Sequence, residues 1–269
     1  MPIPRESKPA GTVVYTCVTN GYDRVIPPAD PVPGVDYILF TDRPEDRVTG
    51  WQVRPIAAVP DLPPALRNRY YKLLPHKVLP EYETSLYLDA NIRITRSLGP
   101  LLDDVFGPDG ADVTLFRHPL RDTVAAEMET CLTSGRVRDP EALRREYAAY
   151  RADGFPDTVQ LTGNSILMRR HMRPAVIEAM TLWWDLVAAH SGRDQISLPY
   201  VRWKQGLDCR LITPHFSIQS PYFHRYPHWA ACGLRGRAYV WSAVHRGRGP
   251  LPRLLHDLLA RSYGARASH

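Results

Sequence analysis

The chain has 269 residues, 44% of them hydrophobic and 23% charged, with a formal net charge of +6. That is the balance of an ordinary folded protein with enough chain for one sizeable core. No apolar run is long enough to suggest a membrane-spanning helix. No Lys/Arg block or nucleic-acid motif accompanies the charge, so a nucleic-acid partner is not expected, whereas a phosphate-bearing small ligand would suit it.

Met1–Gly11 is rich in Pro and charge, with no secretion-like apolar core, and reads as a flexible tail. Thr12–Thr19 is β-branched and apolar, a buried first strand that ends in the turn signal Asn20-Gly21-Tyr22-Asp23. A Pro-rich connection, Pro27–Gly34, stands where a helix would otherwise be expected. Val35–Thr41 reads as a second strand ending at Asp42, and Trp51–Ile56 as a third, nearer an edge because of Pro55.

Pro64–Leu79 has helical spacing, with Leu66, Tyr70, Leu73, Leu74 and Val78 on one face and a break or kink expected at Pro75. Ser85–Leu88 is a fourth strand. It delivers Asp89 and Asn91 at its carboxyl end, after which Ile92 and Ile94 resume the alternation. Helices are expected at Leu98–Phe106, Pro140–Ala152, Pro174–His190, from Asp194, and from Leu251. Strands are expected at Asp112–Arg117, Val159–Met168 and Cys209–Thr213. Trp183 and Trp184 fall in an apolar helical stretch and read as core. The four cysteines, Cys17, Cys131, Cys209 and Cys232, are widely spaced, which fits reduced thiols and a cytoplasmic protein.

Early alternation of strands and helices predicts an α/β fold, with residues 12–245 as a single domain and 246–269 as a C-terminal amphipathic helix and tail. In such folds ligands sit beyond the carboxyl ends of the strands. Asp89 and Asn91, two apart on an extended chain, present oxygens on one side, which suits a hard divalent ion such as Mn²⁺ or Mg²⁺. Gly163 interrupts an apolar strand, a sign of close approach by a ligand, and makes Asn164 a candidate contact.

Six segments follow one another in a familiar order. They are Val13–Asp23, Asp36–Asp42, Asn68-Arg-Tyr-Tyr-Lys-Leu-Leu-Pro-His-Lys77, Ser85–Ile92, Arg193-Asp-Gln-Ile-Ser197 and Gln219–Arg225. Together they resemble the glycosyltransferase-like domain family of plant mucilage proteins and its bacterial members, and more distantly the family-8 glycosyltransferases. The resemblance implies a GT-A-like fold, a Rossmann-like mixed sheet flanked by helices that binds a nucleotide sugar. It also implies transfer of a sugar from a nucleotide diphosphate donor, a UDP-sugar being favoured, to a glycan or secondary-metabolite hydroxyl.

On that resemblance Thr16, Asn20, Gly21, Tyr22 and Asp42 would form the donor pocket, and Arg69, Lys72 and Lys77 would offset charge on the leaving diphosphate. Asp89-x-Asn91 differs from the family's Asp-x-Asp by one amide. His224 would complete the metal site, with His228 as the second choice. Asp194 and Gln195 would stand beside the donor sugar, in a retaining transfer in preference to an inverting one. Asp194 as a plain helix cap remains open, as does Asp194 as the general base of an inverting reaction. A catalytically silent nucleotide-sugar or glycan-binding protein and a sugar nucleotidyltransferase are the competing readings. The Leu stripe after Leu251, with Arg253 and Arg261, reads first as packing on its own domain and then as a homodimer or membrane-surface contact.

Overall fold

A computed structural model describes residues 11–264 except 45, 46, 58, 60, 136 and 138, so all of the expected tail but Gly11 lies outside the described residues. In chain order the elements begin with strands β1 (Thr12–Val18), β2 (Asp36–Thr41) and β3 (Gln52–Pro55) and helices α1 (Pro64–Leu73) and α2 (Pro75–Val78). Strands β4 (Thr84–Leu88) and β5 (Ile92–Ile94), helix α3 (Gly99–Phe106), strand β6 (Val113–Arg117), helices α4 (Val124–Thr133) and α5 (Pro140–Ala152) and strand β7 (Thr162–Arg169) follow. The chain continues through α6 (Pro174–Ala189), α7 (Asp194–Lys204), β8 (Cys209–Ile212), β9 (Phe223–Arg225), α8 (Leu234–His245), a short 3₁₀ turn and α9 (Pro250–Gly264).

Seven strands form one sheet in the order β3-β2-β1-β4-β7-β6-β8, and β5 pairs with β9 in a separate ribbon. Strand β7 runs antiparallel to both neighbours, and the other strands run parallel to one another. This is the mixed α/β sheet, flanked by helices, that the sequence predicts. The chain winds outward from β1 to β2 and β3, then returns to the other side of β1 with β4. That reversal opens a crevice beyond the carboxyl ends of β1 and β4.

Alternation along β1 feeds two cores. Val13, Tyr15 and Cys17 pack with α1 and α6 on one face, while Val14 and Val18 pack with α3 and Phe223 on the other. Pro75 ends α1 as expected, since proline cannot supply the next helical donor. The predicted helix face of Leu66, Tyr70, Leu73, Leu74 and Val78 lies on the first core, which also buries Trp183. Helices α4, α5 and α7 enclose a satellite cluster around Val124, Tyr150, Phe155 and Tyr200.

Two readings are corrected by the packing. The close neighbour of Gly163 is the buried ring of His215, which occupies the space an added Cβ would need, so the glycine admits a side chain of the protein itself. The C-terminal leucines do not share one buried face. Leu259 packs near Tyr239, whereas Leu251, Leu254 and Leu258 are exposed. No helix among the described residues is long and apolar enough to cross a membrane.

Candidate active site

Beyond the carboxyl ends of β1 and β4 lies a cavity of about 710 Å³, within the range of small-ligand sites. Asn20, Tyr22 and Asp23 of the β1 loop, Asn68 and Arg69 of α1, Tyr87 and Asp89 of β4, Arg193 and His228 are among its walls. A smaller cavity of about 300 Å³ opens at the other end of β4, beside Glu83, Thr84 and Arg170, away from this chemistry.

The base of the site is a group of alternating charges. Lys72, only 3% exposed, places Nζ 2.7 Å from Asp194 Oδ2 and 3.6 Å from Asp89 Oδ1. Arg69 Nε lies 3.5 Å from the same Asp194 oxygen. Burial alone would raise the Asp194 pKa, but Arg69 and Lys72 together hold it well below the usual carboxylate range. The backbone at Asp194 is braced from two sides, because Asn164 Nδ2 and Trp183 Nε1 both donate to its carbonyl. Asp89 accepts from the Tyr87 hydroxyl at 3.1 Å and keeps its carboxylate partly open to the cavity.

The rim is fixed by local turns. Asn20 and Gly21 both have positive φ, and the Asn20 amide donates to Asp42 at 2.8 Å. Asp42 therefore holds the β1 loop. Asp23 accepts from the Trp229 amide and bonds Nδ1 of His228 at 2.8 Å, tying the β1 loop to the segment after β9. On the far side Glu127, 1% exposed, takes Arg121 at 2.5 Å and Arg193 at 3.5 Å, and so steers Arg193 along the wall.

Of the expected site residues, Asn20, Tyr22, Arg69 and Asp89 line the cavity. Lys72 and Asp194 lie just behind them. Thr16 is fully buried within β1, and Lys77 is exposed on α2. Gly21 shapes the loop against Arg43. Gln195 donates to the Thr162 carbonyl and Asn164 accepts from the Thr162 hydroxyl, so both serve as braces. Asp194 does not act as a helix cap, because Arg193 holds that position and the carboxylate turns to Lys72. Sequence reasoning left Asp23, Asn68 and Arg193 without a role. Each lies within one of the six segments that carry the family resemblance, and that position is the signal it gives.

The expected metal ligands are not assembled. Asn91 is buried, and its amide donates 2.7 Å to the Tyr226 carbonyl. His224 bonds the Tyr239 hydroxyl at 3.0 Å, on the side of α8. His228 is the histidine that shares the cavity with Asp89. Among the described residues no group of three His, Cys, Asp or Glu side chains could hold a metal ion. The residues present do not fit the Asp89–Asn91–His224 site.

The family described as TOD1/MUCI70, glycosyltransferase-like domain, matches residues 39–217. The chain belongs to this family. Glycosyl transfer, the reaction class expected from the sequence, agrees with it. Arg69, Lys72, Asp89, Arg193 and Asp194 all fall inside the family span, while the loop residues Asn20, Asp23 and His228 lie outside it. The apo crystal structure of mouse xyloside xylosyltransferase 1 is similar over 75% of this chain and 84% of that one, at 10% identity and a TM-score of 0.46. No curated protein matches the chain in sequence.

Proposed function

We propose that residues 12–245 transfer a sugar from a nucleoside diphosphate donor, a UDP-sugar, to a hydroxyl of a glycan or small-molecule acceptor. The observation that carries this reading is the buried Lys72–Asp194 pair behind a cavity at the sheet's switch point, with Arg69 joining that pair to the cavity wall. As the glycosidic bond breaks, negative charge accumulates on the departing diphosphate. Fixed cations aimed at that charge lower the barrier, and they do so best where water is scarce. Arg69 and Arg193 reach the cavity directly, and Lys72 adds its field from behind.

Asp89 would accept from hydroxyls of the donor sugar, with Tyr87 holding the carboxylate in place. Asp194 is poorly suited to deprotonate an acceptor, because a carboxylate held by two cations is a weak base. Retention is therefore favoured over inversion. Two of the three expected metal ligands, Asn91 and His224, face elsewhere, so the diphosphate charge falls to Arg69, Arg193 and Lys72.

Incubation with a panel of nucleotide sugars and detection of released nucleoside diphosphate tests the reading. Release that requires Arg69 supports it. Nucleotide binding with no release for any donor or acceptor would favour a catalytically silent binding protein, the reading suggested by the turned-away Asn91 and His224.

A further inference from the structure

We infer that the surface formed by α8 and α9 docks onto an anionic lipid bilayer. The basic charge of the chain is concentrated there. Residues 234–264 hold six arginines against the single Asp257, a balance of five positive charges out of the chain's net +6. Asp257 is itself taken by Arg246 at 2.9 Å, which leaves Arg235, Arg237, Arg248, Arg253 and Arg261 uncancelled by any acid in the segment.

Helix α9 has two apolar sides, and only one is covered. Its inner side meets α8, where Tyr263 stacks on Tyr239 at 4.8 Å, and reaches the residue just after β9, where His256 bonds the Tyr226 hydroxyl at 2.8 Å. The outer side carries Leu251, Leu254 and Leu258, which are 71%, 68% and 67% exposed. These leucines and Arg261 follow spacings of three and four, so they share one stripe. Helix α8 adds exposed Leu234 and Trp241 seven residues apart, again on one side of a helix.

An exposed apolar stripe flanked by arginines is the pattern of a helix lying in a lipid interface, with leucines in the acyl boundary and guanidinium groups among anionic headgroups. A second copy of this chain is a poorer occupant, because two faces of the same positive charge repel.

Sedimentation of the full chain with vesicles of equal parts phosphatidylglycerol and phosphatidylcholine tests the inference. Binding is expected to these vesicles and to be weak with phosphatidylcholine alone. Arg253→Glu with Arg261→Glu should lower it at least about tenfold, and Leu254→Glu with Leu258→Glu should abolish it. All four positions are exposed, so the variants should keep the wild-type circular dichroism. UDP titration of the same variants should be unchanged, which separates this surface from the donor site. No binding to anionic vesicles, or equal binding to both compositions, would overturn the inference. So would a dimer in light scattering that the leucine variant dissociates.

Discussion

The Lys72 ammonium lies 2.7 Å from Oδ2 of Asp194, a residue 122 positions further along the chain. The pair joins α1 to α7 beneath the cavity, and neither partner is open to water. Lys72→Met leaves the Asp194 carboxylate with only its longer contact to Arg69 and should cost about 1–3 kcal/mol in urea unfolding at neutral pH, the loss of a charged hydrogen bond. Adding Asp194→Asn should recover part of the loss. The native pKa of Asp194 is depressed, so the stabilisation is present above the unfolded value of 3.8 and is lost as pH falls toward the native value. The gap between wild type and Lys72→Met should therefore narrow below that pH.

Arg69 is both an ion-pair partner of Asp194 and a wall of the cavity. Arg69→Gln should keep the fold and weaken nucleoside diphosphate binding about 10- to 100-fold, the worth of a charge-assisted hydrogen bond. Circular dichroism together with a UDP titration checks it. Unchanged affinity would remove Arg69 from the donor site.

Glu127 acts at a distance through Arg193. Buried and shared between two arginines, it fixes where the Arg193 guanidinium stands. Glu127→Gln should cost about 1–3 kcal/mol of stability. Its effect on donor KM should largely vanish in an Arg193→Gln background, as for two members of one unit. Additive effects on KM would mean that Glu127 is only structural.

His228 has its pKa raised, first by the hydrogen bond to Asp23 and against the opposing effect of burial. The tie it makes is therefore fully present below the unfolded value of 6.5 and is lost as pH rises through the higher native value. Donor affinity should fall over that rise, because the cavity loses a cation and the link from the β1 loop to the segment after β9 weakens to its backbone bonds from Trp229 and Ala230. His228→Gln should flatten the profile, as read by UDP titration across pH.

Chelation tests the metal expectation separately. The amide of Asn91 and the ring of His224 are engaged with Tyr226 and Tyr239. EDTA should therefore leave UDP affinity within a few fold of its value with Mn²⁺. Loss of binding on chelation would mean that Asp89 recruits an ion with ligands other than these two.

Much of the sheet was readable because its strands are continuous apolar runs ended by turn residues. Thr12–Val18 and Asp36–Thr41 match expectation to within a residue or so at each end. Helix α5 matches at both ends, since Asp139 caps it and Pro140 opens it. Helix α8 was not foreseen, because Gly236 and its β-branched and aromatic residues weaken the helical signal. Strand β9 was not foreseen either, since three residues between prolines have no period to read.

At the site, the strand-end position of Asp89 was legible from topology, and Asn20 from the end of its strand together with the family resemblance. Side-chain direction was not. Nothing in the string Asp89-Ala90-Asn91 tells that Asn91 turns to a carbonyl 135 residues away, or that His228 displaces His224 as the cavity's histidine.

The central claim is that the cavity over Lys72, Arg69 and Asp194 holds a nucleoside diphosphate. Calorimetric titration of UDP and GDP into the wild-type chain and Arg69→Gln tests it most directly. One of the two nucleotides should bind at a single site and weaken about 10- to 100-fold in the variant. No binding of either nucleotide, or equal binding to both proteins, would contradict the account.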